Sequence, residues 1–93
     1  MNKKILIYTK RDCPYCDAAK QLLQAKNAEF EEIDISHSET LKEQMMQKTE
    51  RKTVPQIFIG DHHVGGFDDL SSLDSEGRLD SLLQGVLPSR KVS

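Results

Sequence analysis

The residues best able to do chemistry in this chain are its two cysteines, both within Arg11-Asp12-Cys13-Pro14-Tyr15-Cys16. Two cysteines dropped at random into a chain of this length fall three apart in about one case in fifty, so the spacing carries information. A disulfide across so short a loop would stabilise little, because the entropic benefit of a cross-link grows with loop length. A closed zinc site needs four ligands, usually from a second paired motif. Beyond the cysteines the chain offers His37 and the adjacent His62 and His63, without the H-x₃₋₅-H spacing. No metal site is expected, and the three histidines read as surface or hairpin residues. Thiol redox chemistry remains. It needs a thiolate, a reachable disulfide and a way to resolve the mixed intermediate.

The elements around the cysteines say how that chemistry could be positioned. Lys4 to Thr9 reads as a strand buried on both faces, apolar without strict alternation. Pro14 suits the first position of a helix, where its missing N–H is not needed. Ala18, Ala19, Leu22 and Leu23 continue that helix with an apolar face to about Asn27. Phe30, Ile33 and Ile35 mark a second strand at about 29–35, giving a βαβ unit with parallel strands. Ser36-His37-Ser38-Glu39 reads as a capping box opening a helix through about Lys48, with Leu41, Met45 and Met46 inward and the methionines as core filler. Gln56-Ile57-Phe58-Ile59 and His62-His63-Val64 flank Gly60-Asp61 as a hairpin. Gly65-Gly66 ends it, Asp68 can cap a short helix carrying Leu70 and Leu73, and a last helix carries Leu79, Leu82 and Leu83. The expected organisation is one domain over 1–86 and a flexible tail over 87–93.

Cys13 thus falls at the junction of strand and helix. The free N–H groups and positive end of the helix favour a thiolate there, and Lys10 and Arg11 add positive charge nearby. Such surroundings bring a thiol from about 8.5 into a range of roughly 3.5 to 7.5. Cys16, one turn on and deeper, should keep a higher pKa and act second. Asp17 reads as first-turn helix stabilisation and Arg11 as solvated charge.

Composition narrows the setting. The 93 residues carry 13 Lys and Arg against 15 Asp and Glu, a net charge of −2, which argues against a general nucleic-acid binder. The content of 37% hydrophobic and 30% charged residues is that of a folded, soluble domain. Its longest apolar run, Ile5-Leu6-Ile7-Tyr8, falls far short of the roughly 20 residues of a membrane span. A cytoplasmic protein with no membrane or nucleic-acid partner is expected.

The order of elements with C-x-x-C after the first strand is the context in which the motif reads as thioredoxin-like. Tyr8-Thr9-Lys10 before Cys13-Pro14-Tyr15-Cys16, then Thr53-Val54-Pro55, then Gly65-Gly66-Phe67-Asp68-Asp69, resembles the dithiol glutaredoxins, in particular the small bacterial ones, from about Lys4 to Leu83. The resemblance implies an α/β protein of thioredoxin-like fold, a four-stranded mixed sheet flanked by helices. It implies glutathione as cosubstrate with no tightly bound cofactor. Cys13 would be the nucleophile that retains glutathione until a second glutathione releases it, and Cys16 would resolve mixed disulfides with proteins.

The resemblance also implies a glutathione clamp. Lys10 would lie beside the glutathione carboxylates, with Arg51 as a further partner for the glycyl end, and Tyr15 would flank the bound tripeptide. An X-Pro bond is cis in only about 5–6% of folded cases; the resemblance reverses that expectation for Val54-Pro55. A cis bond there would let Val54, after Thr53, pair with a peptide-like substrate. Gly66 would permit close backbone approach, with the Phe67 and Asp68 N–H groups on the γ-glutamyl carboxylate and Asp68 or Asp69 on the ammonium. On physics alone those two acids read equally well as a cap and a first-turn charge. The implied partners are glutathionylated proteins and disulfide-containing proteins, ribonucleotide reductase among them, met by a monomer. Two other readings stand beside this one: a glutathione-ligated iron–sulfur cluster carrier, disfavoured by Pro14 and Tyr15, and an electron carrier coupled to thioredoxin reductase, disfavoured by the clamp residues.

Overall fold

A computed structural model describes residues 3–86; the expected tail at 87–93 lies outside them. The chain runs β1 (Ile5–Thr9), α1 (Pro14–Ala25), β2 (Phe30–Asp34), α2 (Glu39–Thr49), β3 (Gln56–Ile59), β4 (His62–Gly65), α3 (Phe67–Ser75) and α4 (Leu79–Leu82). The strands form one sheet in the order β2-β1-β3-β4. β1 is parallel to β2, with Ile5 opposite Phe30 and Thr9 opposite Asp34, and β3 is antiparallel to β1 and to β4. This is the expected mixed sheet in thioredoxin-like topology.

Alternation along the central strands sends side chains into two separate cores. On one face Ile5, Ile7, Ile57, Ile59 and Val64 pack with Ala19 and Leu23 of α1, Leu70 of α3 and Leu79 of α4. On the other, Tyr8 packs with Ile35 and the buried Met45 of α2, joined by Leu6, Phe58 and Met46. β1 is therefore covered on both faces, as its unbroken apolar run predicts. Gly60 turns the β3–β4 hairpin at φ 61°. A register shift between Ile57 and Phe58 leaves Ile57 opposite Gly65 and Phe58 opposite His63.

Boundaries of the first two helices differ from the sequence expectation. α1 stops at Ala25 rather than Asn27, because Asn27 adopts a left-handed conformation at φ 56°, which asparagine tolerates better than most residues. α2 is capped by Ser38, not Ser36: the Ser38 hydroxyl accepts the Leu41 N–H at 3.1 Å. Ser36 serves the other end of the sheet instead. Its hydroxyl accepts the Arg11 N–H at 2.7 Å, tying the loop before Cys13 to the end of β2. The same tie is reinforced by the Ile35 N–H on the Thr9 carbonyl at 2.9 Å.

Candidate active site

The Thr9–Cys13 loop delivers Cys13 to the cap position of α1, with extended backbone at φ −115° and ψ 104°. Pro14 follows at the first helical position, so no N–H is wasted there. The Cys16 N–H donates to Cys13 Sγ at 3.3 Å, giving the sulfur the place a capping oxygen would take. Cys13 is partly exposed, whereas Cys16 is buried. Cys16 lies on the stripe with Ala19 and Leu23 that α1 turns into the core. Burial, then the hydrogen bond and charge of Cys13, push the Cys16 thiol up to about 12. One sulfur is presented and the other is held back, as the helix geometry predicts.

A groove of about 310 Å³ runs beside this pair, walled by Tyr15 of α1, by Arg51 and Thr53 through Gln56, and by Gly66 through Asp69 at the start of α3. The Val54-Pro55 bond is cis. Val54 brings its carbonyl within 3.9 Å of Cys13 Sγ, linking the groove wall to the presented sulfur. Tyr15, the large apolar side chain left exposed among the described residues, has its ring 6.3 Å from that of Phe67 across the groove mouth. Nine of the ten residues expected to hold a ligand therefore line one depression: Tyr15, Arg51, Thr53, Val54, Pro55, Gly66, Phe67, Asp68 and Asp69. Lys10 does not. It lines a smaller neighbouring pocket with Lys42 and Lys52, on which Val54 also borders.

The two ends of the expected clamp also meet each other. Arg51 Nη1 lies 3.4 Å from Asp69 Oδ2, with both side chains half exposed. The same oxygen accepts the Gly66 N–H at 3.0 Å. Asp69, at the third position of α3, thus closes back on the helix start, and the helix begins after Gly66. Asp68 is not the cap: its place one residue into the helix leaves its carboxylate outside that contact. The first-turn N–H groups of Phe67 and Asp68 lack intrahelical acceptors, as at any helix start.

Sequence reasoning gave no site role to Gln56 or His63, and named Gly65 only as part of the Gly65-Gly66 pair. Gly65 is buried at φ 113°, and a side chain there would meet the carboxylate of Asp69. Gln56 is fully buried and bonds to Thr53 and His63. His63, read from sequence as a hairpin residue without a partner, is partly buried and stacks on Phe58 with ring centroids 4.8 Å apart. The signal for Gln56 was available as the one polar residue in a β3 run whose neighbours are all apolar. Among the described residues no group of three or more His, Cys, Asp or Glu could hold a metal ion, and no helix is long and apolar enough to cross a membrane.

Comparison with known proteins agrees with this geometry. The family model described as Glutaredoxin matches residues 5–64. Glutaredoxin 1 of Rickettsia felis is 51% identical, over 99% of this chain and 95% of that protein. The solution structure of a glutaredoxin from Brucella melitensis is 54% identical at a TM-score of 0.79, covering 88% of this chain and 89% of that one. A buckwheat glutaredoxin–glutathione complex superposes at a TM-score of 0.82 with 25% identity, over 91% of this chain and 83% of that one. The presented and the buried thiol at a helix start, on this sheet and with these relatives, leave one conclusion: the chain belongs to the glutaredoxin family of thiol–disulfide oxidoreductases.

Proposed function

We propose that the protein is a glutathione-dependent oxidoreductase that reduces glutathione mixed disulfides with Cys13 alone and protein disulfides with Cys13 and Cys16 together. The observation that carries the reading is the pairing of a presented Cys13, accepting the Cys16 N–H at 3.3 Å, with a buried Cys16 beside a groove of tripeptide size. In the first reaction the Cys13 thiolate attacks the glutathione sulfur of the mixed disulfide, since only that attack leaves glutathione on the enzyme. The substrate thiolate departs. A second glutathione thiolate then attacks the glutathione sulfur of the adduct, releasing oxidised glutathione and the Cys13 thiolate. With a protein disulfide, Cys13 attacks first and the Cys16 thiolate then attacks Cys13 Sγ. The second substrate thiolate leaves, and two glutathione molecules later reduce the Cys13–Cys16 disulfide.

Glutathione would lie along the groove with Tyr15 and Phe67 flanking it and the Val54 backbone pairing with its peptide. The Phe67 and Asp68 N–H groups would take the γ-glutamyl carboxylate. Asp68 is the better partner for the ammonium, because Asp69 Oδ2 already accepts from Gly66 and pairs with Arg51. Lys10, in its pocket next to Val54, and Arg51, once released from Asp69, would meet the glycyl end. A relative in the buckwheat glutaredoxin–glutathione complex supports this class of ligand. The protein would work in the cytoplasm as a monomer on glutathionylated and disulfide-containing proteins, ribonucleotide reductase among them.

Turnover of a glutathionylated peptide, coupled through glutathione reductase to NADPH, tests the reading. Wild type and Cys16→Ser should both be active, and Cys13→Ser inactive; with a protein disulfide as substrate Cys16→Ser should fail. Equal loss in Cys13→Ser and Cys16→Ser on the glutathionylated peptide would refute the division of roles, and no glutathione-dependent turnover in wild type would refute the glutathione reading.

A further inference from the structure

Behind the groove wall, three side chains form a chain of hydrogen bonds that the redox chemistry above does not use. Gln56 Nε2 donates to the Thr53 carbonyl at 3.1 Å and lies 3.3 Å from the Thr53 hydroxyl oxygen. Gln56 Oε1 lies 2.8 Å from His63 Nε2. Gln56 is 0% exposed, so its amide has no water to turn to. The donor sense of the whole chain follows from one fixed point. A backbone carbonyl can only accept, so the Gln56 amide must present its NH₂ to Thr53. Its oxygen then faces His63, and His63 Nε2 must carry the proton. The imidazole stays neutral because burial, reinforced by the nearby Arg51 and His62 and opposed by Asp69, holds His63 below the ordinary histidine range. Its ring is fixed by stacking on Phe58 at 4.8 Å and 25°.

We propose that His63 is a positioning residue for the groove: through Gln56 it sets the carbonyl and hydroxyl of Thr53, and with them the Thr53–Pro55 wall against which the substrate backbone lies. Thr53 and Gln56 line the groove, whereas His63 stands one strand away and touches no ligand there. Without the His63 donor, Gln56 Oε1 is a buried acceptor with nothing to accept. The amide then gains by rotating away, and Thr53 loses its anchor. The effect should fall on binding rather than on sulfur chemistry, since neither Cys13 nor the α1 start belongs to the chain of bonds. This proposal rests on the reading of the groove as the glutathione site, and its test separates the two.

Two variants divide the ring from the donor. His63→Phe keeps the stacking surface and removes the N–H; His63→Gln removes the ring and keeps an N–H that can reach Gln56. In glutathione-dependent turnover of a glutathionylated peptide, His63→Phe should raise KM about fivefold with kcat held within about twofold, and His63→Gln should restore most of the loss. In ¹⁵N spectra without glutathione, the Thr53, Val54 and Gln56 amide signals should move in His63→Phe and return towards wild type in His63→Gln. In the wild type, the ¹⁵N shifts of the His63 ring at pH 7.5 should report protonated Nε2 and bare Nδ1. The Nδ1-protonated form, unmoved Thr53 and Val54 signals in a folded His63→Phe, or a His63→Gln as impaired as His63→Phe would each overturn the proposal. If wild type shows no glutathione-dependent turnover, the glutathione reading falls, and the spectra alone decide whether His63 positions the wall.

Discussion

Replacing Gly65 by alanine probes the joint between β4 and the start of α3. Gly65 is buried at φ 113°, a backbone conformation that side chains oppose, and holding a non-glycine residue there costs about 1–3 kcal/mol. A Cβ would also lie 2.9 Å from the Asp69 carboxyl carbon, closer than real contacts allow, and press on Arg51 Nη1 at 3.0 Å. The Asp69 carboxylate must leave, and with it the hydrogen bond from Gly66 N–H, worth about 1 kcal/mol as part of a helix cap. The Arg51–Asp69 pair adds little, about 0–1 kcal/mol, because both partners are half exposed and screened. The sum is about 2–5 kcal/mol, against roughly 5–14 kcal/mol of total stability for a domain of this size, so most of that range leaves the variant folded. Its Tm should drop by about 10–40 °C. Urea unfolding of wild type, Gly65→Ala, Asp69→Ala and the double variant isolates the causes. Asp69→Ala alone should cost about 1–2 kcal/mol. Added to Gly65→Ala it should cost almost nothing, because the carboxylate contacts are already gone. Simple additivity of the two changes would refute the steric argument, and a Gly65→Ala no worse than Asp69→Ala would refute the backbone argument.

The two thiols should separate sharply in alkylation. With its thiol raised to about 12, Cys16 is ionised at pH 8 in only about one molecule in ten thousand, and it is buried as well. Iodoacetamide should therefore add once to the native protein, at Cys13, and a second time only in denaturant; mass spectra showing two native adducts at similar rates would contradict the buried setting. Glu32 supplies an acid-side test. The Thr9 hydroxyl at 2.6 Å, then Lys20 at 3.1 Å, hold its carboxyl below the ordinary range. A depressed carboxyl contributes stability that is complete above its unfolded value of about 4.3 and is lost as pH falls through the native value. The Tm gap between wild type and Glu32→Gln should shrink as pH falls from 5 towards 3, an interval of about two units around that value. A constant gap would mean that Glu32 gains nothing from Thr9 and Lys20.

What the sequence disclosed and what it hid divide by range. The parallel β1–β2 pair, the start of α1 at Pro14 and the Gly60-Asp61 hairpin follow from apolar period and turn chemistry, which act over a few residues. So does the depth of Cys16, which shares its stripe with Ala19 and Leu23. The polar partnerships did not follow. Ser36 and Ser38 are equally good caps by type, and the choice between them rests on Arg11, whose N–H claims the Ser36 hydroxyl from 25 residues away. Asp68 and Asp69 are likewise alike in sequence. Only the third helical position points its carboxylate back to Gly66 and across to Arg51. Lys10 stands next to Cys13's loop in the chain yet opens onto the Lys42 and Lys52 side of Val54, a placement that nothing in its local sequence distinguishes from the groove. Gln56 and His63 meet because the register shift in β3–β4 sets His63 opposite Phe58, two residues from Gln56 on the same face.

The burial that restrains Cys16 also bears on the order of events in the proposed cycle. Three influences raise this thiol: burial first, then the hydrogen bond to Cys13 and the charge of Cys13. Two lower it, the Lys10 backbone and the Lys20 cation. While Cys13 is a free thiolate, all five act and Cys16 stays protonated, so the two sulfurs do not compete for substrate. Once Cys13 is tied up in a mixed disulfide its charge is gone and its sulfur is a poorer acceptor. One of the three raising influences then disappears and another weakens, whereas the two lowering ones remain. Cys16 becomes easier to ionise at the step that needs its thiolate, and it is already one helical turn from the sulfur it must attack. In the proposed cycle a single helix start would thereby serve both sulfurs, with the occupancy of Cys13 deciding when the second thiol joins in.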